Sequence, residues 1–136
     1  MNPRTLLAAS GISPERVASA LPGVDIEQIV IRPAPSWLAR LWGKAVSAMT
    51  LRTTIYVRAD LLEAAPSLFG QLLVHELVHV QQWARLGAVR FLWKYVAGYV
   101  GGRLTGLSHQ EAYRAISIEV EAREIVAQLQ GPVGPL

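Results

Sequence analysis

Residues 72–83 read LLVHELVHVQQW, and the rest of the chain is arranged around this apolar, helix-forming stretch with its His-Glu-x-x-His motif. On a helix, residues four apart lie on one face about one turn apart, so His75 and His79 can present their imidazoles to a single metal ion. Glu76 is rotated by about 100° from His75, which places its carboxylate nearer to a water beside the metal than to the metal itself. This is the arrangement that zinc-dependent hydrolases carry on a helix.

A simpler interpretation of the motif is that its histidines are ordinary core residues. That is the usual explanation for one histidine on an apolar face, but here two histidines stand at ligand spacing with a glutamate between them. Both flanks are apolar and helix-forming, which is the context that the motif requires. We therefore expect a metal site. Catalysis is a separate expectation, because a binding module or an inactive relative can keep the same ligands.

Composition indicates one globular domain. The chain has 136 residues, of which 51% are hydrophobic and 17% charged, so we expect a single domain over 1–136 with its core at about 45–130. The net charge of +3 is small and no basic run reaches five residues, which argues against a nucleic-acid partner. Because the chain has no cysteine, any metal must be held by histidine and carboxylate side chains.

No targeting segment is apparent in the sequence. The first ten residues contain too short an apolar core for a secretory signal. No stretch approaches the roughly 18 uninterrupted apolar residues of a membrane-spanning helix. The expectation is a cytoplasmic protein without a transmembrane segment.

Proline, glycine and capping residues divide the chain into short elements. The predicted helices are 13–21, 36–42, 67–85, 89–100 and 108–130, and the predicted strands are 25–32, 45–50 and 53–58. We expect the last two strands to pair and the Gly/Pro-rich tail 131–136 to fray. These elements predict an α+β domain in which a small β-sheet packs against the motif helix and a later, glutamate-bearing helix.

Residues 89–100 have large apolar side chains on one helical side and Arg90 and Lys94 on the other. This segment is either a core helix that covers the motif helix or a helix at a membrane interface. We favour the core helix over peripheral membrane contact, because a chain of this size needs the burial. The glycines from Gly98 to Gly106 are expected to break the segment into a loop.

The last helix is predicted to supply a third metal ligand, since catalytic zinc usually has three protein ligands and a water. A capping box at Ser108 and Glu111 opens this helix. Its predicted core stripe is Ala115, Ile118, Ala122, Ile125 and Leu129.

Two carboxylates on this helix are candidates for the third ligand. At 100° per residue, Glu119 lies beside the buried side of the helix and Glu121 lies on the opposite edge. An unpaired buried carboxylate is costly, so a glutamate pointing into an apolar face indicates a partner such as a metal. We prefer Glu119 and keep Glu121 as the alternative. A third interpretation is that both are solvated and pair with Arg114 or Arg123.

The motif, with the later Glu119-x-Glu121-Ala122, resembles the gluzincin class of metallopeptidases. The strand-forming stretch 48–57, followed by a motif helix that contains Gln81-Gln82, is similar to small bacterial zincin domains of unknown function. Those domains carry a His-Glu-Leu-Thr-His-Val-Val-Gln-Gln type motif, and some accompany toxin or contractile-injection systems. The resemblance covers about 45–128.

This resemblance implies a minimal zincin-like fold with one Zn²⁺ held by His75, His79 and Glu119. It implies Glu76 as the general base and strand 53–57 as an edge strand that binds an extended peptide by strand addition. One position departs from the class pattern. Many gluzincins have Asp or Asn four residues after the glutamate ligand, and this chain has Arg123 there. The group that orients the ligand histidines must therefore come from elsewhere.

Two functions follow as expectations. The first is a zinc metallopeptidase that hydrolyses peptide bonds, with Tyr113 or His109 as candidate donors to the oxyanion because both precede the ligand on the same helix. The second is an inactive zinc-binding or partner-recognition module, associated with a toxin or secretion system. Replacement of Glu76 separates them, since only hydrolysis requires the base.

Overall fold

A computed structural model describes residues 2–42, 47–63 and 66–130. It shows the expected α+β domain, which combines helices with a small three-stranded mixed sheet. The helices are α1 (Pro3–Ala9), α2 (Pro14–Ala20), α3 (Ser36–Trp42), α4 (Ala59–Leu62), α5 (Pro66–Leu104), α6 (His109–Ala115) and α7 (Ser117–Gln130). The strands are β1 (Val30–Pro33), β2 (Ala48–Leu51) and β3 (Thr54–Val57). The predicted end of α3 at Gly43 and the predicted frayed tail 131–136 lie outside the described residues.

The sheet has the strand order β1-β3-β2, with β3 parallel to β1 and antiparallel to β2. The expected pairing of the last two strands is confirmed, and a turn with Arg52 at φ 58° joins them. The expectation that β3 is the edge strand was wrong, because β1 pairs with its other side. Within residues 2–42, 47–63 and 66–130, the free edge beside the motif belongs to β2.

The predicted strand 25–32 begins later than expected. The Asp25 side chain accepts a hydrogen bond from the Glu27 N–H and opens a 3₁₀ turn at Ile26–Gln28. Such a local side-chain bond competes with extended backbone. Only Val30–Pro33 therefore joins the sheet.

Helix α5 carries the motif and bends sharply at Gly87, where φ is 79° and ψ is 163°. Glycine adopts this conformation without the steric cost that a Cβ would add. The bend divides α5 into a motif arm, residues 66–86, and a second arm, residues 88–104.

The predicted loop between Gly98 and Gly106 was wrong, since the second arm stays helical through Leu104. Helix α6 packs closely against the glycines of this arm. A Cβ on Gly102 would lie 3.0 Å from the Cβ of Ala112. Small residues are needed at this helix–helix contact, and the chain turns only at Gly106, where φ is 95°.

Two groups of buried side chains hold the motif arm in place. Leu73, Val74, Leu77 and Val78 of this arm are fully buried, together with core residues of α1, α2 and the sheet. A second cluster contains Trp83, Phe91, Ile116 and Ile118. It packs the bend of α5 against α6 and α7, so the motif lies between both clusters.

The predicted helix 108–130 is interrupted at Ile116, whose φ of −59° and ψ of 129° are not helical. The capping box of Ser108 and Glu111 is present. Because the break changes the rotational phase, Ala115 is exposed although it was predicted to be core, whereas Ile118 and Ala122 are buried as predicted. Ile125 and Leu129 are half-buried. The break also places Glu119 in the first turn of α7.

The second arm of α5 does not bury the apolar side that its helical periodicity had predicted to face the core. Val89, Trp93 and Val96 are exposed, and the buried face carries Phe91 instead. The expected core helix was therefore assigned the wrong face. Among the described residues, no helix is long and apolar enough to cross a membrane.

Candidate metal centre

The motif arm brings together His75, Glu76 and His79, whose candidate ligand atoms all lie within 4.8 Å of one another. Glu76 and His79 are each 4% exposed, and the side chain of His75 is 20% exposed. This group of side chains could hold a metal ion.

Helix α7 adds Glu119 to this cluster. Its side chain is buried, with Oε2 3.0 Å from His75 Nε2 and Oε1 3.1 Å from His79 Nε2. Zinc bonds of about 2.0–2.1 Å in tetrahedral geometry separate two donor atoms by about 3.3 Å. The carboxylate therefore lies at a separation from both imidazoles that suits joint coordination of one cation.

Gln82 determines which nitrogen of His79 carries the proton. Its amide nitrogen donates to Ile118 O at 3.1 Å and to Glu121 Oε1 at 2.9 Å. The amide oxygen therefore faces His79 Nδ1, at 2.7 Å, and can only accept there. In the neutral ring Nδ1 carries the hydrogen and Nε2 carries the lone pair.

The Nε2 atom of His79 is buried and has no hydrogen-bond partner among the described residues. It faces Glu119 Oε1 at 3.1 Å without hydrogen-bond geometry. A lone pair opposite a carboxylate oxygen is unfavourable unless a proton or a cation lies near both atoms. Two imidazoles and one carboxylate form a donor set that catalytic zinc uses, so these residues fit the expected metal.

In the metal-free protein, a proton on His79 takes the place of the cation in the contact between His79 and Glu119. Burial lowers the pKa of His79, but its close contact with the Glu119 carboxylate and the charges of Glu76 and Glu119 raise it to about 9. Burial would raise the pKa of Glu119, but its contacts with His75 and His79 hold it well below its ordinary value of 4.5. A metal ion must therefore displace a proton from His79.

Strand β2 positions Glu76. Thr50 Oγ1 donates to Glu76 Oε2 at 2.7 Å and lies 3.2 Å from the Glu76 carbonyl oxygen. The Trp83 indole donates to Thr50 O at 3.0 Å, which ties the same strand residue to the motif arm a second time. Thr50 could not be identified from the sequence, because its contact with Glu76 spans 26 residues.

Two tyrosines lie beside Glu119. The Tyr95 hydroxyl donates to Glu119 Oε1, and Tyr113 packs edge-on against Tyr95 with ring centroids 6.1 Å apart. Burial first, and then the neighbouring phenol and carboxylate charges, raise the pKa of Tyr95 above its ordinary value. Burial and the charge of Glu119 do the same for the pKa of Tyr113. Both hydroxyls therefore remain donors at neutral pH.

The other two candidates from the sequence lie elsewhere. His109 is exposed at the start of α6, contacts the Tyr99 hydroxyl at 2.7 Å, and lines neither cavity beside Glu76. Glu121 accepts hydrogen bonds from Gln82 and from Arg85 at 2.8 Å. Glu121 therefore contacts the Gln82 amide that orients His79, whereas Glu119 contacts both imidazole rings.

Two cavities adjoin the cluster, and both are lined by Ala48, Glu76, Tyr113 and Glu119. The first has a volume of about 80 Å³ and is largely apolar. Its apolar lining includes Met49, Leu51, Trp83, Phe91 and Leu92. The second is an open groove of about 460 Å³ on the side of His75, lined also by Gln71, Arg114 and Arg123.

Comparison with models of protein families, with curated proteins and with solved structures found no match. The resemblance to gluzincins therefore stays a prediction from the sequence.

Proposed function

We propose that this protein is a zinc metallopeptidase with His75, His79 and Glu119 as the zinc ligands. The observation that carries the proposal is the buried Nε2 of His79, which has no hydrogen-bond partner among the described residues yet lies 3.1 Å from the Glu119 carboxylate. Gln82 holds the ring in the tautomer that offers a lone pair at this atom. A structural core histidine would instead have both nitrogens hydrogen-bonded.

When bound, zinc supplies an activated water, whose pKa falls to about 7, and polarises the carbonyl that is attacked. The chain must then provide a base, donors to the developing oxyanion and a place for the substrate. A carboxylate next to the two histidines is not needed for coordination when Glu119 is present. The position of Glu76 is better explained by proton transfer.

Glu76 is held in one orientation for this task. Its Oε2 accepts the Thr50 hydroxyl, while its Oε1 has no hydrogen-bond partner within the described residues. Glu76 also lines both cavities. A water between the cavities would meet a fixed acceptor, which is what general-base catalysis requires.

Tyr113 is the stronger of the two predicted oxyanion donors. It lines both cavities, whereas His109 lines neither of them. The raised pKa keeps its hydroxyl protonated at neutral pH. Tyr95 is already engaged with Glu119, and its role is to orient that carboxylate.

The edge strand β2 offers a place for an extended peptide. Arg58 N donates to Ser47 O, so the antiparallel alternation turns the backbone groups of Ala48 and Thr50 away from β3. Trp83 occupies Thr50 O, and within the described part of the chain the Ala48 groups and the Thr50 N–H are left for a substrate strand. A side chain next to the cleaved bond would enter the apolar pocket beside Glu76.

Replacement of Glu76 by Gln tests this proposal, because it keeps size and polarity and removes only the base. The zinc content of Glu76→Gln should equal that of the parent, while hydrolysis of a diverse peptide library falls by a factor of about 10² to 10⁴. A chelator should abolish parent activity and added zinc should restore it. If parent and variant both bind zinc fully and are equally inert, the peptidase proposal fails. The chain is then a zinc-binding recognition module.

A further inference from the structure

The second arm of α5 has an outward face that no part of the described structure covers. Its five large apolar side chains are spaced four, three, four and four residues apart, and they form one stripe about 22 Å long. The members of this outward stripe, with their exposed fractions, are Val89 (83%), Trp93 (71%), Val96 (58%), Val100 (46%) and Leu104 (82%).

The opposite face of the same arm is the one that packs inward. Phe91 stacks on Trp83 with ring centroids 4.5 Å apart, and Tyr95 donates to Glu119. Gly102 lies against Ala112 of α6, and Gly98 lies against Ile116 between α6 and α7. The burial that the domain needs from this helix is thus supplied by the inward face, so the outward stripe has no role in the core.

Basic side chains flank the outward stripe. At 100° per residue, Arg90 falls along one side of it and Arg103 falls on the other. Lys94 lies farther round the helix on the side of Arg90, where its charge also acts on Glu121. All three are exposed, and residues 88–104 contain no acidic side chain. An apolar stripe between cationic flanks, with a tryptophan in the stripe, is typical of helices that lie in the interface of an anionic membrane.

We propose that the outward stripe docks this protein on an anionic membrane surface, with the second arm lying parallel to the bilayer. The charges favour this occupant over a second copy of the chain, because two identical cationic faces would repel each other. The shape also favours it. The stripe is a convex helix face, which fluid lipid can accommodate without the complementary groove that a protein partner would need.

Docking would bring the candidate site close to the lipid. Leu92 belongs to this arm, is 48% exposed, and lines the apolar pocket that also contains Glu76 and His79. The mouth of that pocket would then face substrates at the membrane surface. The exposed face and its charges favour docking whether or not the protein is a peptidase.

Vesicle co-sedimentation tests the docking directly. The protein should bind phosphatidylglycerol vesicles and should not bind phosphatidylcholine vesicles. Binding to phosphatidylglycerol should weaken as the salt concentration rises, since exposed charges are screened. Trp93→Asp should weaken binding at least tenfold. Trp37→Asp is the matched control, because Trp37 on α3 is 67% exposed but lies outside the outward stripe, and its binding should equal that of the parent.

The double variant Arg90→Ala, Lys94→Ala measures the electrostatic part. Each basic residue near an anionic surface contributes about 1 kcal/mol, so this variant should bind about thirtyfold more weakly. Circular dichroism checks that each variant is folded, and Val96→Glu replaces Trp93→Asp if that variant is not.

Three results would overturn the proposal. One is no sedimentation with phosphatidylglycerol at low salt. Another is an equal loss of binding in the Trp37 and Trp93 variants. The third is a parent dimer that Trp93→Asp converts to a monomer in analytical ultracentrifugation, which would show that a second copy covers the outward stripe.

Discussion

Gln82 should control zinc affinity although it is not itself a ligand. Its amide oxygen accepts from His79 Nδ1 at 2.7 Å, and the side chain is 1% exposed. In Gln82→Met a side chain of similar length remains, but the Nδ1–H loses its partner. The ring can then move its hydrogen to Nε2, the atom that the metal needs.

The size of the effect follows from two independent considerations. A buried donor without a partner costs about 1–3 kcal/mol. Loss of a group that orients a ligand histidine typically lowers metal affinity by about 10–100-fold, which is about 1.4–2.7 kcal/mol. The ranges agree, so we expect zinc affinity to fall by one to two orders of magnitude, measured by competition with a chelator of known affinity.

Gln81→Met is the matched control for this substitution. Gln81 is the preceding residue, but its side chain donates to Pro22 O at 3.2 Å, outside the site. The zinc affinity of Gln81→Met should stay within twofold of that of the parent. A third variant, Gln82→Glu, keeps the acceptor for His79 and loses the two donated bonds, so its zinc affinity should exceed that of Gln82→Met. Equal affinities in Gln82→Met and the parent would refute the argument from the tautomer.

Three further predictions concern the metal ligands and the proton on His79. Glu119→Ala should lose bound zinc in metal analysis while Glu121→Ala keeps it; the reverse result would make Glu121 the ligand. The metal-free protein should lose thermal stability between pH 6.5 and about 9. The pKa of His79 is raised in the folded state, so its stabilisation is fully present below 6.5 and is lost as the pH rises, by up to about 1.4 kcal/mol per pH unit. Thermal melts of chelated protein measure this, and a flat profile would contradict it. Saturating zinc should stabilise the protein more as the pH rises through this window, because binding requires neutral His79.

The local features of the chain could be predicted because short-range interactions determine them. The spacing of His75 and His79 follows from the helical period, and the capping box at Ser108 follows from two residues three positions apart. The pairing of β2 with β3 joins neighbouring segments. Helix α1 was not predicted, although its start signals are also local, with Asn2 as the cap and Pro3 at the first helical position.

The edge of the sheet could not be predicted because its order depends on distant segments. Strand β3 became central only through its pairing with β1, which lies more than 20 residues earlier. The groups that orient the site residues also depend on distant segments. Thr50 reaches Glu76 from β2, and Gln82 is fixed by acceptors on α7.

The exposed face of the second arm shows the limit of periodicity most directly. Both of its faces carry large apolar side chains, Phe91 and Tyr95 on one and Trp93 and Val96 on the other, so the helical pattern alone does not identify the core side. The bend at Gly87 and the close contact of Gly102 with α6 decided that orientation. The sequence by itself therefore determined the helix that carries the histidines. The tertiary structure decided which carboxylate meets them and which surface remains open, because both depend on how separate helices are turned relative to one another.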